Sequence, residues 1–395
     1  MLAASTVAAW LALTWAAVLL WLAIGAALRR YQLHARFEAR ARLSTVDRRV
    51  LIIRPCAGDE PGLHDNLLSI ATLSSAATLR VVMTVDSPDD GARPIIEQVA
   101  ASLRARGLDA RAELHPPLGP NRKASMLAQV LREHGPAHEL VVNVDSNVDL
   151  AGFDLDALLQ PVLEVDRERI GVAWAPWVER REFPGVGPRA SEAVLGGSLT
   201  AFPLLCGIHP NGLVGKIWAA RMDALEHSGD FGELARYLGE DLAMADRLRA
   251  AGWRIAVVPL LGRVRGGHGG FEQAVERFGR WMLVVRGQQP RLLPSYPLFF
   301  FATPMVTALA LLGLASSPAL AVTALVLATL ARLLVTLAAR YWSGRGLRPL
   351  ATLVDAVLSD VVLMLAWIRA VTRREIEWRG HRLRVEPSGQ LSSVE

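Results

Sequence analysis

Residues 139–147 read ELVVNVDSN: Leu140, Val141, Val142 and Val144 form an apolar run that stops at Asp145-Ser146-Asn147. A β-branched run this short has no room for a helix and reads as a buried strand of a parallel sheet. A carboxylate at the C-terminal edge of such a strand lies where open α/β sheets bind their ligands. Asp145 and Asn147 then offer hard oxygen donors, the kind that hold Mg2+ or Mn2+ beside a diphosphate. The same residues also suit a strand that simply ends in an Asx turn.

The flanking sequence alternates short strands with helices. Residues 50–53 are β-rich, 61–73 have helical spacing, and 79–85 form a second strand ending at Asp86. Residues 92–106 read as an amphipathic helix and 110–114 as a third strand. A Pro/Gly loop over 116–121, a helix over 123–134 and a further apolar run at 170–174 complete the pattern. Alternation of this kind predicts a parallel, doubly wound sheet covered on both faces. Arg54-Pro55-Cys56-Ala57-Gly58 stands where a dinucleotide fold places its glycine turn, and no Walker lysine pattern occurs. Both absences argue against a classical dinucleotide fold or a phosphate-loop ATPase.

The hydrophobic share of the 395 residues is 52%, above that of soluble domains. The excess sits at the two ends, which predicts a membrane protein with a soluble middle. Residues 5–28 carry no charge and are long enough to span a bilayer. Arg29, Arg30, Arg36, Arg40 and Arg42 follow, so the positive-inside rule puts the N-terminus outside and the next domain in the cytoplasm. Near the other end, 297–315 and 319–337 form a hairpin around Ser316-Ser317-Pro318, followed by Arg340, Arg345 and Arg348. Residues 350–371 are apolar but interrupted by Asp355 and Asp360, and either span the membrane or lie in its interface. Of 43 basic residues only Lys123 and Lys216 are lysines. No charged tail is long enough to argue for nucleic acid. Cys56 and Cys206 have no ligand spacing and read as small core residues.

Three further stretches carry chemistry. LGEDLAMADRL (238–248) opens a helix with Glu240 and Asp241, placed either as N-terminal acids that suit the helix dipole or with Asp241 as a general base. Gly266-Gly267-His268-Gly269-Gly270 is a loop able to close over a substrate, or merely a connection. In RFGRW, Arg277 and Arg280 share one helical face beside Trp281. That face suits a clamp on phosphate oxygens, an interfacial helix meeting lipid headgroups, or both.

The ordered series Asp86, Asp145-Ser146-Asn147, Glu240-Asp241 and Arg277-x-x-Arg280-Trp281 resembles membrane-bound inverting glycosyltransferases with a GT-A fold. It is most similar to the ceramide glucosyltransferase group, glycosyltransferase family 21. RPCAGDEPGLHDNL from Arg54, NRKASML around Lys123 and EIEWRGHRLRV from Glu375 extend the likeness over nearly the whole chain. Asp-Ser-Asn at the second site, Gly196-Gly197-Ser198 in place of a histidine-bearing segment and 71–78 in place of a Gln-Xaa-Tyr-Pro phrase depart from the group's pattern.

The resemblance implies a transmembrane helix over 1–30, a GT-A domain over 48–270 and an interfacial helix bearing RxxRW over 271–296. A transmembrane hairpin over 297–338, the third apolar segment over 350–371 and a basic tail over 372–395 would follow. It also implies an integral protein of the bacterial inner membrane with its catalytic domain facing the cytoplasm. UDP-glucose would bind with its uridine near Arg54 and Asp86, and Glu240 would line the donor site. Lys123 and an Mg2+ or Mn2+ ion at Asp145 and Asn147 would hold the diphosphate. Asp241 would act as base on a lipid hydroxyl, most simply that of ceramide, with Arg277, Arg280 and Trp281 closing the diphosphate end. A hopanoid polyol, a diacylglycerol or a polyprenyl phosphate are alternative acceptors. A non-catalytic nucleotide-sugar-binding membrane protein is the alternative outside enzymes.

Overall fold

The computed structural model describes residues 2–163, 169–208, 212–267, 269–373, 375–378 and 381–393. His268 of the glycine-rich loop and Arg374, Arg379 and Gly380 of the tail lie outside them, as do the side chains of Ser198 and Cys206. The first apolar run is one helix, α1 (Leu2–Glu38). The chain then gives β1 (Arg49–Pro55), α2 (Leu63–Leu68), β2 (Thr78–Val85), α3 (Arg93–Ala105), β3 (Asp109–Leu114) and α4 (Arg122–His134). Next come β4 (Leu140–Val144), β5 (Val148–Asp149), α5 (Leu155–Leu163), β6 (Ile170–Trp174), β7 (Trp177–Arg180) and α6 (Val186–Ile208). Then follow β8 (Ile217–Arg221), α7 (Met222–His227), α8 (Glu240–Ala250), β9 (Arg254–Val257) and β10 (Gly262–Arg265). The C-terminal third holds α9 (Phe271–Gln288), α10 (Ala302–Gly313), α11 (Pro318–Trp342) and α12 (Pro349–Thr372), then β11 (Glu375–Trp378), β12 (His381–Val385) and β13 (Leu391–Ser393).

Two compact units result. One, here the sheet unit, holds His34–Arg180, Leu205–Arg265 and Glu375–Glu395; the other, the helical unit, holds Met1–Leu33, Arg181–Leu204 and Gly266–Arg374.

In the sheet unit seven strands run in the order β3-β2-β1-β4-β8-β6-β9. All five residues of β4 are buried, as expected of a strand covered on both faces. Parallel pairing sets Val50 beside Leu140 and Ile52 beside Val142, and the order turns at β1, the crevice where α/β sheets place ligands. Helix α3 buries Ile96, Val99, Ala100 and Leu103, the i, i+3, i+4, i+7 face that covers a sheet. Helix α4 is started by Asn121, whose Oδ1 accepts from the Ala124 N–H at 3.0 Å.

The α/β class and a mostly parallel sheet hold, and one strand departs from them. Strand β8 runs antiparallel to both β4 and β6, with Val144 opposite Ile217 and Trp174 opposite Trp218. Its start therefore meets the end of β4, a neighbour that strand–helix alternation does not predict. A small sheet, β5-β10-β7, stands beyond that edge. The basic tail folds as a meander, β11-β12-β13. Gln390 there bridges Tyr237, and the Leu238 N–H reaches the Gly389 carbonyl at 3.4 Å.

Within the helical unit, α1, α10 and α11 share a seam of small residues. Ala12, Ala16 and Ala23 of α1 meet Ala302, Val306 and Ala310 and then Ala321, Ala324, Ala328 and Ala331. In lipid there is little hydrophobic drive between helices, so close backbone approach over small side chains supplies the packing. Gly313 shows how close this is: a Cβ there would lie 2.7 Å from that of Ala9.

Helices α1, α11 and α12 are long and apolar enough to cross a membrane, with mean hydropathies of 2.2, 2.2 and 1.9 over their best windows. Residues Pro290–Phe300 and Ala302–Gly313 form a pair bent by 60°. The acids that interrupt 350–371 do not break α12, because both are paired. Asp355 takes Arg340 Nη1 at 2.6 Å, Arg189 Nε at 3.0 Å and Arg345 Nη1 at 3.3 Å. Asp360 takes Arg332 Nη2 at 2.9 Å. Removing the shared acid of a buried cluster leaves its cations uncompensated, at about 3–5 kcal/mol. Asp355→Ala is accordingly expected to lower the thermal unfolding midpoint in detergent by several degrees; an unchanged midpoint would contradict this account of α12.

Candidate active site

The antiparallel join of β4 and β8 builds the site. Asp145, one residue past β4, donates its N–H to the carbonyl of Lys216, one residue before β8, at 2.9 Å. Lys216 Nζ then turns back to Asp145 Oδ2 at 3.2 Å and Asn147 Oδ1 at 2.9 Å, with the Trp177 ring 4.9 Å away. Lys123, in the first turn of α4, reaches Asp145 Oδ1 at 2.7 Å, Glu240 Oε1 at 3.0 Å and the Gly215 carbonyl at 2.9 Å. Those three acceptors match the three donors of an ammonium.

Gly215 links the acids. Its carbonyl also accepts from Asn143 Nδ2 at 2.9 Å, and its N–H donates to Asp241 Oδ2 at 2.9 Å. Asp241 Oδ1 accepts from the Leu242 N–H at 2.8 Å, at the amino end of α8 where the helix dipole favours an anion. A Cβ on residue 215 would lie 3.1 Å from Asp241 Oδ2, so a side chain there would press on the carboxylate. Glu240 Oε2 accepts from Asn121 Nδ2 at 3.1 Å, tying α8 to the start of α4.

Asp145, Asn147, Lys123, Glu240 and Asp241 thus form one cluster. Two other expected residues stand beside it. Asp86, past the end of β2, is buried with Oδ2 3.3 Å from Arg122 Nε. Neither of its oxygens accepts a hydrogen bond among the described residues. Arg54 is fully buried, and its Nη2 donates to the Ser146 and Val148 carbonyls at 3.1 and 2.9 Å. It supports the Asp-Ser-Asn turn from beneath. Glu60 Oε2 accepts from Ser146 Oγ at 2.5 Å and fixes the same turn.

Arg277, Arg280 and Trp281 belong to the helical unit, on α9. Arg277 Nη1 donates to Ser191 Oγ at 3.0 Å, and its guanidinium lies 5.5 Å from the Trp281 ring centroid. Two residues of the cluster escaped the sequence reading, Lys216 and Gly215. The scarcity of lysine was the available signal: both lysines of the chain contact Asp145.

The model of Glycosyl transferase family 21 matches residues 13–391. The chain belongs to that family. No curated protein matches it. Among solved structures it is similar to a mannosyltransferase from Pyrobaculum calidifontis in complex with GDP-Man and Mn2+. That pair shares 19% identity over 91% of this chain and 99% of the other, at a TM-score of 0.46. Glucosyl-3-phosphoglycerate synthase from Mycobacterium tuberculosis, with Mn2+, UDP and glucosyl-3-phosphoglycerate, is 15% identical over 64% of this chain and 82% of its own, at 0.35. S. aureus TarS 1–349 is 14% identical over 85% and 96%, at 0.38.

The charges of this family 21 glycosyltransferase are strongly biased. Burial alone would raise Asp145, but Lys123 and Lys216 outweigh it and hold the carboxyl below the usual range. Burial alone would lower Lys123, but Asp145 and Glu240 raise it above an ordinary lysine. Burial pushes Arg54 down to about 10, which leaves it charged at neutral pH. Asp241 moves the other way: burial, then the Glu240 charge, push it up to about 6 against Lys123 and two backbone N–H groups. A carboxyl raised in the folded state contributes stability below its ordinary value near 4 and loses it as pH rises to about 6. Asp241→Asn, which does not titrate, is therefore expected to be more thermostable than the native chain above pH 6, with the advantage shrinking towards pH 4. A pH-independent difference in unfolding midpoint would refute the shift.

Proposed function

We propose that this family 21 glycosyltransferase moves a sugar from a nucleotide diphosphate donor, UDP-glucose first, to the hydroxyl of a membrane lipid, ceramide first, with inversion. The observation that carries the reading is the placement of Asp241. Its carboxylate is joined through Gly215 and Lys123 to Asp145, the acid at the sheet's ligand edge. With a pKa near 6 it is ionised at neutral pH yet basic enough to accept a proton. The long apolar helices in the same chain favour an acceptor that resides in the bilayer.

In this reading Asp241 takes the proton of the acceptor hydroxyl as its oxygen attacks the anomeric carbon. The bond from that carbon to the diphosphate breaks on the opposite face, and its electron pair leaves on the phosphate oxygen. A single carboxylate base suffices for inversion by a lipid hydroxyl. Asp86, buried beside Arg122 with two oxygens that accept no hydrogen bond among the described residues, suits the N–H or hydroxyl donors of a uridine. Asp145 and Asn147 converge on one cation position, and their oxygens are the donor type of Mg2+ or Mn2+. A divalent ion held there would supply Lewis-acid stabilisation to the diphosphate. Glu240 keeps Lys123 against Asp145, and Arg54 keeps the Asp-Ser-Asn turn in place. Arg277, Arg280 and Trp281 are assigned to the leaving diphosphate on their motif.

Two contacts inside the helical unit support a membrane layout. Ser5 Oγ donates to the Leu312 carbonyl at 2.6 Å, so the end of α10 lies beside the start of α1. The Arg30 guanidinium lies 5.3 Å from the Trp342 ring, so the end of α11 lies beside the basic end of α1. That end is cytoplasmic by the positive-inside rule. Helix α12 thus starts on the cytoplasmic side. The strands that follow it belong to the sheet unit, so the 266–374 stretch crosses an even number of times. The bent pair ending in α10 and then α11 supply two crossings, which leaves α12 entering and leaving on one side.

Two experiments test these proposals. Purified protein in detergent, given UDP-glucose, UDP-galactose or UDP-N-acetylglucosamine with ceramide, diacylglycerol or a hopanoid polyol, is expected to release UDP with one pairing and to invert the anomeric centre. Asp241→Asn is expected to cut that rate by at least 100-fold; full activity in this variant would remove the base assignment. For the layout, a cysteine at Ser388 in a cysteine-free chain is expected to react with an impermeant maleimide in inverted vesicles and not in intact cells. Labelling from outside would make α12 a span.

A further inference from the structure

We infer that the Lys216 ammonium is a resident cation at the divalent-ion position of Asp145 and Asn147, excluding such ions until it moves aside. The inference deepens the transferase reading and rests on it for the meaning of that position. Lys216 Nζ lies 2.9 Å from Asn147 Oδ1 and 3.2 Å from Asp145 Oδ2, so it occupies the place between the two residues that would hold an ion. The other Asp145 oxygen is held by Lys123 at 2.7 Å. Asp145 and Glu240 balance Lys123 and Lys216 charge for charge, and Asp241 is the one further acid of the cluster. A bare divalent ion added there would face two ammoniums with no new anion to offset it, whereas a diphosphate brings its own.

The residue type supports the assignment. Among 43 basic residues the chain uses lysine only at 123 and 216, and both contact Asp145. An ammonium is a compact point charge that occupies an ion-sized position, while a guanidinium is a planar fork that needs more room. The Trp177 ring, 4.9 Å from Nζ, supports the cation from behind. The backbone is pinned as well, because the Asp145 N–H donates to the Lys216 carbonyl at 2.9 Å. Exchange with an ion therefore requires only that the four-carbon side chain swing away.

The test is Mn2+ binding by the full chain in detergent, without nucleotide, followed by the loss of the free-ion paramagnetic resonance signal. Lys216→Met and the milder Lys216→Gln are each expected to bind Mn2+ at least tenfold more tightly than the native chain. Lys216→Arg, which keeps a positive charge, is expected to show no such gain. Adding Asp145→Asn to Lys216→Met is expected to abolish it. Native affinity in both neutral variants, or a gain that survives Asp145→Asn, would overturn the inference. UDP binding measured in EDTA is the separate readout of the transferase reading, so either can fail alone.

Discussion

The carboxylate of Asp145 is held between two ammonium groups, and the charge balance of the cluster depends on that contact. A buried carboxylate alone would favour its neutral form, yet Lys123 and Lys216 keep it charged. Lys123 extends the same charge balance to Glu240 on α8 and to the carbonyl of Gly215. Asp241, one residue along α8, is not given an ammonium of its own. It receives two backbone N–H groups instead, and burial together with the Glu240 charge outweighs them, so its proton affinity rises. Neighbouring acids thus acquire different roles from the distribution of two lysines.

Much of this was legible in the residues. Short β-branched runs ending in acids fixed β2 and β4, because period and punctuation suffice where a strand is buried on both faces. Asp86 and Asp145 fall at strand ends as read, and Glu240-Asp241 open a helix. Strand β8 was not legible. Its five residues, IWAAR, lack the β-branched density of β4, and its antiparallel entry is a matter of tertiary pairing. Lys216 went unread for the same reason, since its place opposite Asp145 exists only once β8 is paired. The tail read as a basic stretch because charged residues alternate with Ile376, Leu383 and Val385, the buried positions of a small meander.

The helical unit obeys a different solvent. Its alanine seam packs by proximity, whereas Asp355 and Asp360 are tolerated because arginines on neighbouring segments neutralise them. Asp355 draws together α6, α11, α12 and the turn after α11 through Arg189, Arg340 and Arg345. Acids that look like interruptions in a one-dimensional hydropathy pattern act in three dimensions as the points where helices are joined.

The bridge between Gln390 and Tyr237 has a consequence in time. The two residues are 153 positions apart, and the segment it secures leads directly into Glu240 and Asp241. At roughly 5–20 residues per second, the strand that completes this approach leaves the ribosome on the order of ten to thirty seconds after the segment it supports. The apolar helices α10, α11 and α12 are made within that interval. A nascent chain therefore meets the bilayer before the support of α8 is complete, and a chain interrupted after α12 would carry all the acids of the cluster without that support.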